Sequence, residues 1–208
     1  STMGGKVTLR DIYGDLDGSS MGGNVTLDRV TRRDGSSTGD AVIISTMGGS
    51  IEVGDAPAGA KLETMGGAIR VESAAEYVDA ETMGGDIEIG AVAGWVKAVT
   101  MGGDIEVRVT GEGSDGADLM LESMHGDVRL IVPRGFGMEV DIEIAYTKRH
   151  LGKHEIKTDL PLQLSETDRW VRDHGDPRRY LRGTGTVGDG RHRVEVRTVN
   201  GDVILEEE

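Results

Sequence analysis

Cysteine is absent from the 208 residues, proline occurs four times and phenylalanine once. Without cysteine there are no disulfides, no thiolate metal sites and no cysteine nucleophile, although this does not choose a compartment. Aromatic residues make up only 3% of the chain, which argues against a core built on aromatic packing. No apolar run approaches the roughly 18 residues that a membrane-spanning helix requires. Positive charge is also scarce. Lys and Arg number 23 against 37 Asp and Glu, a formal net charge of −14 that opposes nonspecific binding to nucleic acid or to an anionic membrane surface. The imbalance is local, because residues 1–130 hold 22 acids and 10 bases whereas residues 131–208 hold 15 and 13. The two parts therefore face different surroundings or partners.

Glycine, at 33 residues, and methionine, at nine, are abundant. They fall in a repeat. Thr/Ser-Met-Gly-Gly-x-Val/Ile-x-Leu/Val/Ile recurs with its Met at 3, 21, 47, 65, 83 and 101, degenerates to SMHGDVRL at Met124, and returns as TVNGDVIL at Val199. The spacings are 18, 26, 18, 18, 18, 23 and 75, so the period is 18. The additions of eight and five residues, around DRVTRRDGSSTGD and VTGEGSDGAD, are rich in Gly, Ser and Asp and read as loops.

One period, such as TMGGDIEIGAVAGWVKAV, holds two short alternating stretches, Asp86 to Ile89 and Trp95 to Val99, separated by turns. Eighteen residues are too few for a helical pair, and a strand helix rising about 4.8 Å per coil is the natural solution. About eight coils predict a rod roughly 40 Å long. Stacking places Val7, Val25, Ile51, Ile69, Ile87, Ile105, Val128 and Val203 in one β-branched column. A second column is Leu9, Leu27, Val53, Val71, Ile89, Val107, Leu130 and Leu205. A second wall comes from Ala60/Leu62, Val78/Ala80 and Val96/Ala98, and Gly-Gly supplies a tight corner through positive φ or close backbone approach. A left-handed hexapeptide solenoid also has 18 residues per turn. It fails here, because its aliphatic register falls on Pro57, Glu63, Ala75 and Glu81. The expected fold class is thus an all-β, single-stranded β-helix of about 18 residues per coil, taken as right-handed, with one short helical insert. It forms a single domain over residues 1–208, in which 1–130 are regular Met-Gly-Gly coils and 131–208 are longer irregular coils. Because Ser1 stands inside a repeat motif, an upstream signal peptide, anchor or first coil is expected.

After Ile131 the period lapses until Arg193 to Leu205. Val140, Ile142 and Ile144 alternate with acids, so strands continue. Ser165 with Asp168 resembles a capping box and Gly175 a stop, which predicts a short helix over 166–174 within an insert at 165–182. Residues 148–182 carry nine bases and six acids, the one positively biased segment.

Repeated T-x-x-G-D-I-x-V coils, the Pro-containing strand Leu130 to Pro133, a G-x-G and an arginine-bearing strand ending in RTVNGDVIL together resemble a bacterial adhesin family of unknown function. They are also similar to the head domain of auto-transporter adhesins. The resemblance covers nearly the whole chain and implies a β-solenoid, usually extracytoplasmic. The Met-Gly-Gly corners and the Trp/Arg-rich insert depart from the pattern, and the family has no catalytic motif to transfer.

Several patterns invite chemistry. The corner methionines Met3, Met21, Met47, Met65, Met83, Met101 and Met124 form a ladder of soft thioethers suited to Cu(I), but parity with the Ile two positions beyond Gly-Gly predicts a ladder packed into the core. Asp86 with Asp104 and Glu88 with Glu106 stack one coil apart in a spacing that could hold Ca²⁺. Without a DxDxDG loop they read as a solvated acidic face that discourages edge aggregation. His150 and His154 lie at H-x3-H spacing but flank Gly152, and read as a turn with two exposed histidines. Glycosidic chemistry needs paired carboxylates in a cleft and commonly aromatic platforms, for which smooth coils leave little material. No catalytic, metal or cofactor residue is assigned. Trp170, Arg172, Arg178, Arg179 and Tyr180 are the expected partner-binding residues, since these types dominate interface hot spots, and an acidic protein surface is their complement. The same insert could instead cap the open end of the solenoid.

The expected function is a non-enzymatic, extracytoplasmic adhesin-like or scaffolding module of a bacterium, a subunit of a larger envelope or membrane-associated assembly that binds a protein partner. The alternative is a polysaccharide-acting or metal-binding cell-surface protein.

Overall fold

The computed structural model describes residues 2–14, 16–31, 42–111, 117–172 and 176–208. Two ten-stranded sheets face one another, and in each regular coil the chain passes from one to the other and back. In each regular coil the corner leads into a strand such as Ile51–Ala56, a turn follows, and a second strand such as Ala60–Thr64 returns to the next corner. Neighbouring coils pair in parallel and in register: Ile51 lies beside Ile69, Ile69 beside Ile87, Ile87 beside Ile105, Ile105 beside Val128, and Val128 beside Val203. The β-branched column is therefore a physical stack, with Ile51, Ile69, Ile87, Ile105, Val128 and Val203 all buried. The opposite wall, from Val42 and Ile44 through Ala60/Leu62, Val78/Ala80 and Val96/Ala98 to Leu119/Leu121, is buried against it. The core is thus a narrow aliphatic seam.

Of the two loop additions, residues 28–31 extend the strand Val25–Thr31, Val109 closes the strand Ile105–Val109, and the intervening 32–41 and 112–116 lie outside the described residues.

The final coil departs from chain order. His192–Val199 pairs in parallel with Leu119–Ser123 on one side and with Met138–Thr147 on the other. Likewise Val203–Glu207 lies between Val128–Val132 and Ile156–Thr158. After Val132 the chain skips one coil position, builds the outermost layer, and then drops its last coil into the gap. The spacing of 75 residues along the chain is therefore a single coil in space.

The outermost layer is β-structure. Met138–Thr147 pairs antiparallel with Arg178–Val187, which pairs antiparallel with Gln163–Glu166 at the edge. Of the helix expected over 166–174 the described residues 166–172 form none: Glu166 ends a strand, Asp168 and Arg169 bend, Val171 bridges to Arg178, and 173–175, including the proposed stop at Gly175, lie outside the described residues. Strand pairing at the sheet edge outweighs a three-residue capping signal. The only helical turn among the described residues is the 3₁₀ turn Lys148–His150. No described helix is long and apolar enough to cross a membrane.

Candidate functional site

The corner is built by its threonine. In Val42–Thr46 the side chains of Val42, Ile44 and Thr46 point inward, which sends Met47 outward. The buried Thr64 hydroxyl donates to the Gly49 carbonyl of the preceding coil at 2.8 Å and accepts the N–H of its own Gly67 at 3.3 Å. Thr82, Thr100, Ser123 and Thr198 donate in the same way to Gly67, Gly85, Gly103 and Gly126. Each second glycine is obligatory, because a Cβ on Gly67, Gly85 or Gly103 would lie 2.2 Å from the carbonyl oxygen of the glycine one coil below.

This geometry corrects the core-packed methionine ladder. Met21, Met47, Met65, Met83 and Met101 are 44–56% exposed, and Met3 more so. Parity does not carry through the corner: inward positions are even before it, at Ile44 and Thr46, and odd after it, at Gly49 and Ile51. The five thioethers line a groove of about 550 Å³. Its other wall is the in-register row Ser45, Glu63 and Glu81. Glu63 holds Lys61 at 3.1 Å, and Glu81 accepts a hydrogen bond from Lys97, which raises the lysine pKa. The surface is an apolar ridge with acids along one side, on the half of the chain that carries most of the net negative charge.

The acids beyond Gly-Gly have a further role that repeat reading missed. The Asp86 carboxylate accepts the backbone N–H of Asp104 at 2.9 Å, Asp104 accepts that of Asp127, and Asp127 that of Asp202, both at 2.8 Å. These aspartates tie coil to coil by satisfying a backbone donor at the bend.

The five expected partner-binding residues come together at the cap. Trp170 is half-buried, edge-on to Tyr146 with ring centroids 6.1 Å apart, and carries Lys148 and Arg179 over its ring. Arg179 also donates to the Thr167 carbonyl and lies 3.4 Å from Glu166. Arg178 and Tyr180 are half-buried in Arg178–Val187, and Arg172 is exposed. Tyr146 donates to Glu166, and burial, followed by that bond, pushes its hydroxyl pKa up to about 12. The histidines are partly buried rather than exposed. Their rings lie 5.5 Å apart, and His154 Nδ1 sits 3.0 Å from Asp202, brought in by the inserted coil. Among the described residues no group of three or more His, Asp or Glu is arranged to hold a metal ion.

A family model, Toastrack DUF4097, matches residues 6–206. The chain belongs to the Toastrack family. It is a domain family of unknown function, and the parallel two-sheet solenoid is this Toastrack chain's fold. No curated protein and no solved structure matches the chain.

Proposed function

We propose that this Toastrack chain is a non-enzymatic, extracytoplasmic scaffolding module, adhesin-like in role, that docks a protein partner along its methionine ridge within an envelope assembly. The carrying observation is the ridge itself: five thioethers at one-coil spacing, about half exposed, on a rigid stack. Unbranched, polarizable side chains adapt to varied apolar surfaces, and methionine is over-used on binding surfaces that must re-pack against what they meet. The acids Glu63 and Glu81 and the 22 acids against 10 bases of residues 1–130 favour an amphipathic segment with an apolar face and basic flanks. Trp170, Arg172, Arg178, Arg179 and Tyr180 offer a second contact surface, in which Arg172 is exposed, Arg178 and Tyr180 are half-buried, and Trp170 and Arg179 are engaged with one another.

Photo-reactive methionine analogues incorporated in place of Met, followed by cross-linking in the native envelope fraction, test this reading. A single partner whose cross-links map to Met65 and Met83 is expected, with loss of copurification in Met65→Glu/Met83→Glu at an unchanged melting temperature. Cross-links confined to a probe at Arg172, or copurification that survives the double substitution, would move the interface off the ridge.

A further inference from the structure

A second surface lies on the outer face of the other sheet. The register that pairs Ala60, Val78, Val96, Leu119 and Val194 places the residues just before them, Gly59, Tyr77, Trp95, Asp118 and Arg193, in one column along the solenoid axis. The column begins as a stack. Tyr77 and Trp95 lie 4.7 Å apart and 7° from parallel, and a Cβ on Gly59 would come within 2.4 Å of the Tyr77 ring. Backbone therefore backs the tyrosine and the tyrosine backs the tryptophan, leaving the far face of Trp95, which is 40% exposed, turned toward the next coil.

The next residue of the column is small. Asp118 is held down by the backbone N–H of Arg193 at 2.8 Å, and no ring fills the level above Trp95. Arg193 follows one coil later, its side chain 68% exposed and its guanidinium 3.8 Å from Glu195. At about 4.8 Å per coil, Trp95 and Arg193 stand roughly 9.6 Å apart, which is room for one ring in van der Waals contact with both. Trp95, Lys97, Asp118, Met120, Arg193 and Glu195 line a groove of about 400 Å³ there.

We infer that this slot binds a pyranose ring of a saccharide, stacked on Trp95, with Asp118 and Glu195 accepting from its hydroxyls and Arg193 donating to them. Donors and acceptors alternate around the opening, which suits hydroxyls because each both donates and accepts. A planar hydrocarbon ring leaves those charges unused. A nucleotide brings phosphate toward a chain of net charge −14. The slot is open on a flat sheet, so a chain of linked sugars can cross it without a cleft.

Trp95 becomes the sole indole in Trp170→Phe, and its emission reports the slot. Titration of that variant with cellohexaose, chitohexaose and hexagalacturonate, with adenosine as a planar aromatic control, is expected to give a saturable shift with at least one oligosaccharide near millimolar Kd and none with adenosine. Calorimetry on the wild-type background, well below each variant's melting temperature, should show about tenfold weaker binding for Trp95→Ala and for the surface change Arg193→Gln. Absence of saturation with every oligosaccharide, equal binding of adenosine, or undiminished saccharide binding in folded Trp95→Ala overturns the assignment.

Discussion

At the scale of the residue, two adjacent glycines do different work. The second glycine of each corner is pressed against the coil below. In Gly85→Ala the new methyl would stand 2.2 Å from the Gly67 carbonyl oxygen, and a backbone atom in a parallel stack cannot swing aside. The first glycine has space, since a Cβ on Gly84 meets nothing nearer than the Met65 carbonyl oxygen at 3.8 Å. Gly85→Ala is therefore expected to cost about 1–3 kcal/mol by overpacking. Gly84→Ala should be neutral or slightly stabilising, because it narrows the unfolded ensemble without strain. Thermal unfolding of the two variants, side by side, checks this. Equal melting temperatures would mean that the coils separate more readily than the stacked carbonyls imply. Thr82 belongs to the same unit: its hydroxyl joins two successive glycine corners, at 2.9 Å to the Gly67 carbonyl and 3.3 Å from the Gly85 N–H.

At the scale of the element, the cap decides how the stack ends. Open parallel sheets present unpaired edges that invite further strands. Here Met138–Thr147 is covered by the antiparallel Arg178–Val187, and that strand by the short, exposed Gln163–Glu166. Tyr146, 4% exposed, pins the cap through its hydrogen bond to Glu166, with Trp170 edge-on beside it. Its raised pKa has a definite consequence. The folded state holds the phenolic proton up to about pH 12, while the unfolded chain releases it near 10, so the unfolded state binds fewer protons between these values. This contribution is complete below pH 10 and is lost as pH rises toward 12. Tyr146→Phe should flatten that alkaline decline when denaturant midpoints are compared at pH 9 and pH 11.5, after allowance for the other tyrosines. An identical decline in the variant would show that Tyr146 ionises no later in the fold than outside it.

At the scale of the whole molecule, the inserted last coil makes the far end a closed assembly rather than the end of a ladder. His192–Val199 is the shared neighbour of Leu119–Ser123 and Met138–Thr147, so the cap is joined to the regular coils through strands from the chain's end. Closing that long loop costs entropy before its contacts form, which places docking of the last coil late in folding. A chain ended after Arg191 should keep protected amides in Ile69–Thr100 but lose protection in Met138–Thr147, read by hydrogen exchange. Retained protection there would mean that the antiparallel pairing with Arg178–Val187 suffices to hold the cap.

The sequence alone determined the solenoid, its 18-residue coil, the two aliphatic walls and the Gly-Gly corner, because these are local alternations repeated at constant spacing and each coil meets only its neighbours. Tertiary structure decided the rest. The bend at each corner resets the inward parity and turns the methionines out. Edge pairing overrides the capping signal of Ser165 and Asp168. The return of the last coil sets Arg193 two levels from Trp95 and Asp202 beside His154. These relations join residues 48 to 98 positions apart, and no period read along the chain contains them, because the energy that selects them is the pairing of strands that the chain order does not make neighbours.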